Sequence, residues 1–144
     1  MYPDEPQLAI SRVLDAPRGL AFRAFTDPDH LARWWGPSGN RLPRDQMEFD
    51  VRPGGFQRWT ELSAAQPDLR VHIYIDITDV ADGDLLEGLM HVTGRLQDDI
   101  GPFETRFRVA FHDGPDGRTR PEIRQWLPRP PRRAQHPGPA RSPR

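Results

Sequence analysis

Apolar and polar residues alternate along most of this chain, which is the pattern of β-strands with one buried face. In the clearest run, Val71, Ile73, Ile75 and Ile77 alternate with polar or polar-tipped side chains. Similar runs lie at 8–14, 47–51, 56–62, 85–93, 103–111 and 119–126. Turns rich in Gly, Pro and Asp join most of them, which favours antiparallel pairing. The pattern therefore predicts a curved antiparallel sheet of about seven strands.

Two short helices are predicted between the first and second strands, which makes the fold class α+β. Apolar residues recur at helical spacing over 20–25, and Pro17 is expected at the first helical position with Asp15 or Ala16 as the cap. A second helix is expected to begin at Pro28, with Asp27 as its cap, and to end before Gly36. A sheet of this length calls for a further long helix after the last strand to cover its packed face.

The last residues differ in composition from the rest of the chain. Residues 128–144 hold six Pro and five Arg and no Leu, Ile, Val, Phe or Met. Such a segment forms neither a helix nor a core, so a disordered or polyproline-like tail is predicted and the long C-terminal helix is expected to be missing. We hypothesise a shifted reading frame or truncated gene, which translation of the other frames beyond residue 127 tests. A docking arm and an inert tail are the alternatives.

The expected organisation is a flexible N-terminus at 1–7, one domain at 8–127 and the tail at 128–144. The formal net charge of −1 hides an uneven distribution of charge along the chain. Residues 1–127 carry 15 Arg against 21 acidic residues, whereas the tail carries five Arg and no acidic residue. An acidic domain argues against nucleic-acid binding. The chain has no Cys, which excludes disulfides and thiolate sites. No apolar stretch could span a membrane and no targeting signal is recognised, so a cytoplasmic protein is expected.

Several motifs resemble one protein family in their order and spacing. They are Ala16-Pro17, Thr26-Asp27-Pro28, Trp34-Trp35-Gly36-Pro37 and Asp50-x-Arg52-Pro53-Gly54-Gly55. Together they resemble the bacterial branch of the activator of heat-shock protein 90 ATPase homologue family, in the START-related, birch-pollen-allergen-like SRPBCC superfamily. The resemblance implies a helix-grip fold, in which a curved sheet grips a long C-terminal helix around a cavity for apolar or amphipathic ligands.

The alternation also selects candidate core and site residues. Ten apolar side chains are predicted to face inward: Met47, Phe49, Phe56, Val71, Ile73, Ile75, Leu89, Phe107, Val109 and Phe111. The predicted ligand-binding residues are Trp34, Trp35, Phe49, Trp59, Ile73, Tyr74, Ile75, His91, Phe107 and Phe111. A filled core would give the same alternation, so packing alone stays open as an interpretation of these residues.

Binding of a small apolar or amphipathic ligand is the preferred function, with no cofactor, metal or catalytic residue assigned. An enzyme on the same scaffold is the first alternative, with His91 or His72 as a base working with Asp76 or Glu87. A protein-interaction or co-chaperone-like module is the second alternative, whose groove would accept a helix from a partner or a second copy. An open groove also predicts self-association.

Overall fold

The computed structural model describes residues 2, 4–36, 39–95 and 99–127. It contains two α-helices, α1 (Arg18–Thr26) and α2 (Pro28–Trp34), and short 3-10 turns at Arg44–Gln46 and Pro115–Gly117. The strands are β1 (Leu8–Ser11), β2 (Glu48–Asp50), β3 (Phe56–Leu62), β4 (Arg70–Ala81), β5 (Leu85–Arg95), β6 (Asp99–Asp113) and β7 (Thr119–Trp126). The predicted tail at 128–144 lies outside the described residues.

The seven strands form one antiparallel sheet in the order β1-β7-β6-β5-β4-β3-β2. The sheet is curved and does not close, so β1 and β2 are its two edges. This confirms the predicted α+β class and the helix-grip fold that the family resemblance implies. The described residues contain no helix longer than the nine residues of α1, and none of their helices is long and apolar enough to cross a membrane.

The two faces of the sheet follow from the register, because residues paired directly across antiparallel strands point to the same side. We call the face on which α1 packs the inner face, where the rings of Phe22 and Phe111 lie 5.5 Å apart. Trp59 pairs with Ile73, and Phe107 with Gln125, on this face. The buried core is built from it: Ile73, Ile75, Ile77, Leu86, Phe107, Val109 and Phe111 are each at most 5% exposed.

Phe56 and Leu89 lie on the opposite, outer face, and the prediction that they face inward is wrong. Phe56 pairs with Asp76, which in turn pairs with Leu89. On β5, apolar residues stand on both faces, so the sequence there does not reveal which alternate set is buried. The register with the clear alternation of β4 settles it, because Ile75 pairs with Met90.

The helix hairpin follows the prediction with one change. Asp27 caps α2 as expected, since its Oδ1 accepts from the backbone nitrogens of Asp29 at 2.9 Å and His30 at 3.2 Å. Pro17 is the extended residue that precedes α1 rather than its first helical residue, with ψ at 161°. Its carbonyl nevertheless accepts the first bonds of the helix, from the backbone nitrogens of Leu20 and Ala21 at 3.0 Å each.

Pro121 looks misplaced in a strand, but the structure accommodates it. β1 pairs with β7 only as far as Ser11, opposite Glu122, and a bridge from Leu14 to Thr119 restores the pairing further on. Pro121 falls in the gap between these contacts. Its missing N–H therefore removes no bond to β1, which is how proline is tolerated in a sheet.

The turn after β2 needs both of its glycines. Gly54 has a φ of +81°, and a Cβ on Gly55 would stand 2.0 Å from the carbonyl oxygen of Asp50. The predicted turn is confirmed, since only glycine allows this backbone angle without strain and this close approach. Asp50 also pairs with Arg52 at 2.9 Å, where both side chains are largely exposed, so the pair contributes little to stability.

Candidate functional site

An apolar trough runs along the inner face of the sheet beside the helix hairpin. It has an inner compartment of about 260 Å³ and an outer one of about 510 Å³. Ile10, Phe25, Trp34 and Ile123 line both compartments, which makes them one continuous surface. The outer volume is in the range of small-molecule sites in proteins.

The lining comes from eight helices and strands, many of them far apart in sequence. The inner compartment is lined by Leu8, Ile10, Phe25, Leu31, Trp34, Trp35, Gln57, Trp59, Ile75, Leu86, Met90, Phe107, Val109, Ile123 and Gln125. None of these described residues is ionisable at neutral pH. The outer compartment adds Arg12, Leu14, Ala24 and Pro121. The trough therefore favours an apolar ligand. Arg12 of the outer compartment is the one basic residue among the described lining residues.

Part of this surface faces solvent, although its side chains are large and apolar. Leu8 is 41% exposed, Ile10 44% and Trp34 44%. Trp34 is held at the rim by its indole nitrogen, which donates to the carbonyl of Ala24 at 2.8 Å, and by edge-on packing on Phe25 at 5.0 Å. An exposed apolar surface of this kind usually marks a site of interaction.

The predicted site residues divide into three groups. Trp34, Trp35, Trp59, Ile75 and Phe107 line the trough. Phe49, Ile73 and Phe111 lie on the same face within or against the packed core, where Phe49 stands 5.7 Å from the ring of Trp59.

Tyr74 and His91 form the third group, and the structure separates them from the other eight. They pair with each other across β4 and β5 on the outer face. The prediction that both side chains face the same cavity as Trp59 is therefore wrong. Tyr74 lies between the inward-pointing residues Ile73 and Ile75 on β4, so its side chain must point to the other face.

Hydrogen bonds to Glu61 hold Trp35 in the lining of the inner compartment. The Glu61 carboxylate accepts from the Trp35 indole nitrogen at 3.1 Å and from Asn40 Nδ2 at 2.6 Å. The ring of Trp35 then packs edge-on against Trp59, with centroids 5.0 Å apart. Glycine is required at position 36, beside these hydrogen bonds, because its φ is +79° and a Cβ there would stand 2.2 Å from Glu61 Oε2.

Two buried polar side chains lie among the apolar lining residues. Gln57 is 0% exposed, and its Nε2 donates to the carbonyl of Phe25 at 2.9 Å near the end of α1. Within the described part of the chain, Gln57 Oε1 and Trp59 Nε1 have no hydrogen-bond partner. Buried polar atoms without partners are uncommon in folded proteins, so this pair calls for an explanation.

The outer face carries a separate depression of about 280 Å³ around His72, Tyr74 and His91. His91 Nε2 lies 3.1 Å from Asp76 Oδ2, and its Nδ1 lies 3.6 Å from Glu104 Oε1. A histidine base needs one nitrogen toward the reacting group and the other toward the residue that orients it. Both nitrogens of His91 face carboxylates here, so this geometry does not favour the His91 and Asp76 base of the enzyme alternative.

Two side chains with shifted pKa values lie outside the trough lining. Burial, followed by the hydrogen bond and negative charge of Glu104, raises the pKa of Tyr2 to about 12. Hydrogen bonds from Arg124 and then His112 lower the pKa of Glu122. Both groups belong to surface networks of the sheet, and neither supports acid–base chemistry in the trough.

Sequence reasoning missed several trough residues. Ile10 and Ile123 were available from the alternation, since each stands between polar or small neighbours in a predicted strand. Gln57 had a weaker signal, because it lies two residues before Trp59 and so shares its face. What the sequence could not show is that β1, the first strand, pairs with β7, the last, and brings these residues together.

Known proteins share this architecture. Residues 15–138 match the model of a family described as Activator of Hsp90 ATPase homolog 1-like protein. A protein of Chromobacterium violaceum is 24% identical with a TM-score of 0.64, and the match covers 82% of this chain and 76% of that one.

Two further solved structures are similar. A Mycobacterium smegmatis protein is 19% identical with a TM-score of 0.70, over 90% of this chain and 78% of its own. A Nitrosomonas europaea protein is 20% identical with a TM-score of 0.68, over 93% and 82%. At these identities the likeness shows the fold alone. No curated protein matches the chain.

Proposed function

Since the chain belongs to the family of Activator of Hsp90 ATPase homolog 1-like proteins, we propose that it binds one small apolar or amphipathic molecule in the trough. The resemblance drawn from the motifs between Ala16 and Gly55 is thereby confirmed. This family fold commonly binds hydrophobic ligands. A fold does not by itself select a function, so the proposal depends on the trough.

The observation that carries the proposal is the continuous apolar surface, in which Leu8, Ile10 and Trp34 are exposed to solvent. Burial of apolar surface stabilises a complex by roughly 25 cal/mol per Å² before the cost of association is subtracted. A ligand that covers these three side chains would gain this stabilisation from a surface that is already formed in the protein without ligand.

A thermal-shift screen with lipids, aromatic compounds and polyketide-like molecules tests the proposal. A ligand at a hundredfold excess over its Kd stabilises the folded state by about 2.7 kcal/mol, which raises the Tm of a domain of this size on the order of 10 °C. The rise should increase with ligand concentration.

Two matched variants locate the site. Ile10 and Val13 are 44% and 45% exposed, but only Ile10 lines the trough. Ile10→Trp should block the trough and abolish the thermal shift, whereas Val13→Trp adds the same bulk elsewhere and should keep it. An equal shift in both variants would contradict the proposed site.

The two alternatives make different predictions in the same experiments. An interaction module would be stabilised only by a partner chain, such as a helix donor or a second copy. An enzyme would show turnover that His91→Ala abolishes while the fold stays intact. We keep the binder first because the apolar lining favours it and the contacts of His91 do not favour a base.

We propose no nucleic-acid or membrane partner, in line with the acidic charge of residues 1–127. The cytoplasmic location expected from the sequence stays part of this proposal. Fractionation of cells that express the full chain tests the location.

A further inference from the structure

Gln57 and Trp59 place a buried acceptor and a buried donor two residues apart on one strand, in a mostly apolar lining. Both belong to β3 and both point to the inner face, since Gln57 pairs with Ile75 and Trp59 with Ile73. Residues two apart on a strand have Cα atoms about 7 Å apart. One small head group can bridge two side chains at this separation with hydrogen bonds of about 2.9 Å to each.

The identity of the free atom on Gln57 is fixed by its partner. A backbone carbonyl only accepts hydrogen bonds, so the contact with Phe25 must use the amide nitrogen of Gln57. The carbonyl oxygen Oε1 is therefore the atom left to accept a bond. Trp59 Nε1 can only donate, and its ring is fixed between Trp35 and Phe49.

We infer that the inner compartment selects uncharged ligands whose head group both donates and accepts a hydrogen bond, and that Gln57 and Trp59 receive it. The inference rests on the proposed binding function. A primary amide or an alcohol meets both requirements. A carboxylate lacks the donor, and the described lining of the inner compartment offers no cation to offset its buried charge.

Access to the two atoms requires a local rearrangement. Both atoms are shielded from solvent, so the covering side chains must rotate before a head group reaches them. An apolar molecule without a head group leaves both atoms unpaired and gains nothing from this step.

Three molecules with one ring system test the inference: naphthalene, 2-naphthamide and 2-naphthoate. Their affinities for the full chain are measured at neutral pH by calorimetry. We expect 2-naphthamide to bind about tenfold or more tightly than naphthalene, since each good hydrogen bond contributes a factor of about 3 to 10, and 2-naphthoate to bind most weakly.

Two variants assign the preference to the named atoms. Trp59→Phe removes the donor and keeps a ring, and Gln57→Leu removes the acceptor. The readout is the ratio of the affinities for 2-naphthamide and naphthalene, which each variant should lower about 3- to 10-fold. Circular dichroism checks that both variants are folded, and Val13→Ala, outside the trough lining, should keep the ratio.

The outcomes separate the inference from the proposed function. If naphthalene and 2-naphthamide bind equally well, or if neither variant changes their ratio, the head-group assignment is overturned and the binding function stands. If 2-naphthoate binds best, the assignment is also overturned. If no molecule of the set or of the wider ligand screen binds in the trough, both fail together.

Discussion

Gly36→Ala should destabilise the protein by more than a glycine-to-alanine change at a position where only the backbone angle disfavours alanine. Gly36 has a φ of +79°, and an added Cβ would stand 2.2 Å from Glu61 Oε2. Gly54 has nearly the same φ, +81°, but an added Cβ would meet nothing within 4 Å. Gly54→Ala therefore measures backbone strain alone, which costs about 1 kcal/mol.

The additional loss of stability at Gly36 comes from the hydrogen bonds that Glu61 accepts. The carboxylate must move away from the new methyl group, which breaks its bonds to Trp35 Nε1 at 3.1 Å and Asn40 Nδ2 at 2.6 Å. A hydrogen bond to a charged group contributes about 1.5–3 kcal/mol, and partial exposure lowers this value. We expect Gly36→Ala to cost about 3 kcal/mol in total, about 2 kcal/mol more than Gly54→Ala.

A double-mutant cycle in urea checks the cause. In a Glu61→Ala background the clash is gone, so Gly36→Ala should cost only the backbone strain, about 1 kcal/mol. A coupling of about 2 kcal/mol between positions 36 and 61 is the expected result. If Gly36→Ala and Gly54→Ala cost the same in the unmodified protein, the steric role of Glu61 is refuted.

Three further outcomes are expected. Thr119 is fully buried and donates to the carbonyl of Ala16 at 2.7 Å; Thr119→Val should lower the free energy of unfolding by about 1–3 kcal/mol, whereas Thr119→Ser keeps the hydroxyl and should cost less, about 1 kcal/mol for the lost methyl group, as urea titration would show. Hydrogen bonding from Arg124 lowers the pKa of Glu122, so its stabilisation is present above the unfolded-state pKa of about 4.3 and is lost as pH falls further; the stability difference between the unmodified protein and Glu122→Gln should shrink below about pH 4, and a difference constant with pH contradicts this. Ile10→Ser should reduce concentration-dependent association in light scattering, and an unmodified chain that stays monomeric at high concentration would rule out association through the trough.

The sequence predicts the strands well because their burial is one-sided. Val71, Ile73 and Ile75 alternate without interruption, and β3 begins and ends where predicted, at Phe56 and Leu62. The alternation alone cannot assign a face where apolar residues occupy consecutive positions, as at Leu85 and Leu86. For the same reason the predicted inward position of Leu89 is wrong.

The site was harder to predict than the fold, because a ligand site depends on which strands meet. Trp34 and Trp35 are both predicted ligand-binding residues, and both line the trough. Gln57 is not among the predicted site residues, since a polar side chain in a strand normally faces solvent. Its burial depends on the carbonyl of Phe25 at the end of α1, a contact between segments that the alternation does not relate.

The curvature of the sheet decides which face can host a site built from several strands. On the inner, concave side, side chains from distant strands converge, so Ile10, Gln57 and Ile123 reach one cavity although they come from the first, third and last strands. On the outer side they diverge, and the ion-pair contacts of His91 go to the two adjacent strands, to Asp76 on β4 and Glu104 on β6. Chemistry that needs groups from three or more strands around one ligand is therefore favoured in the trough.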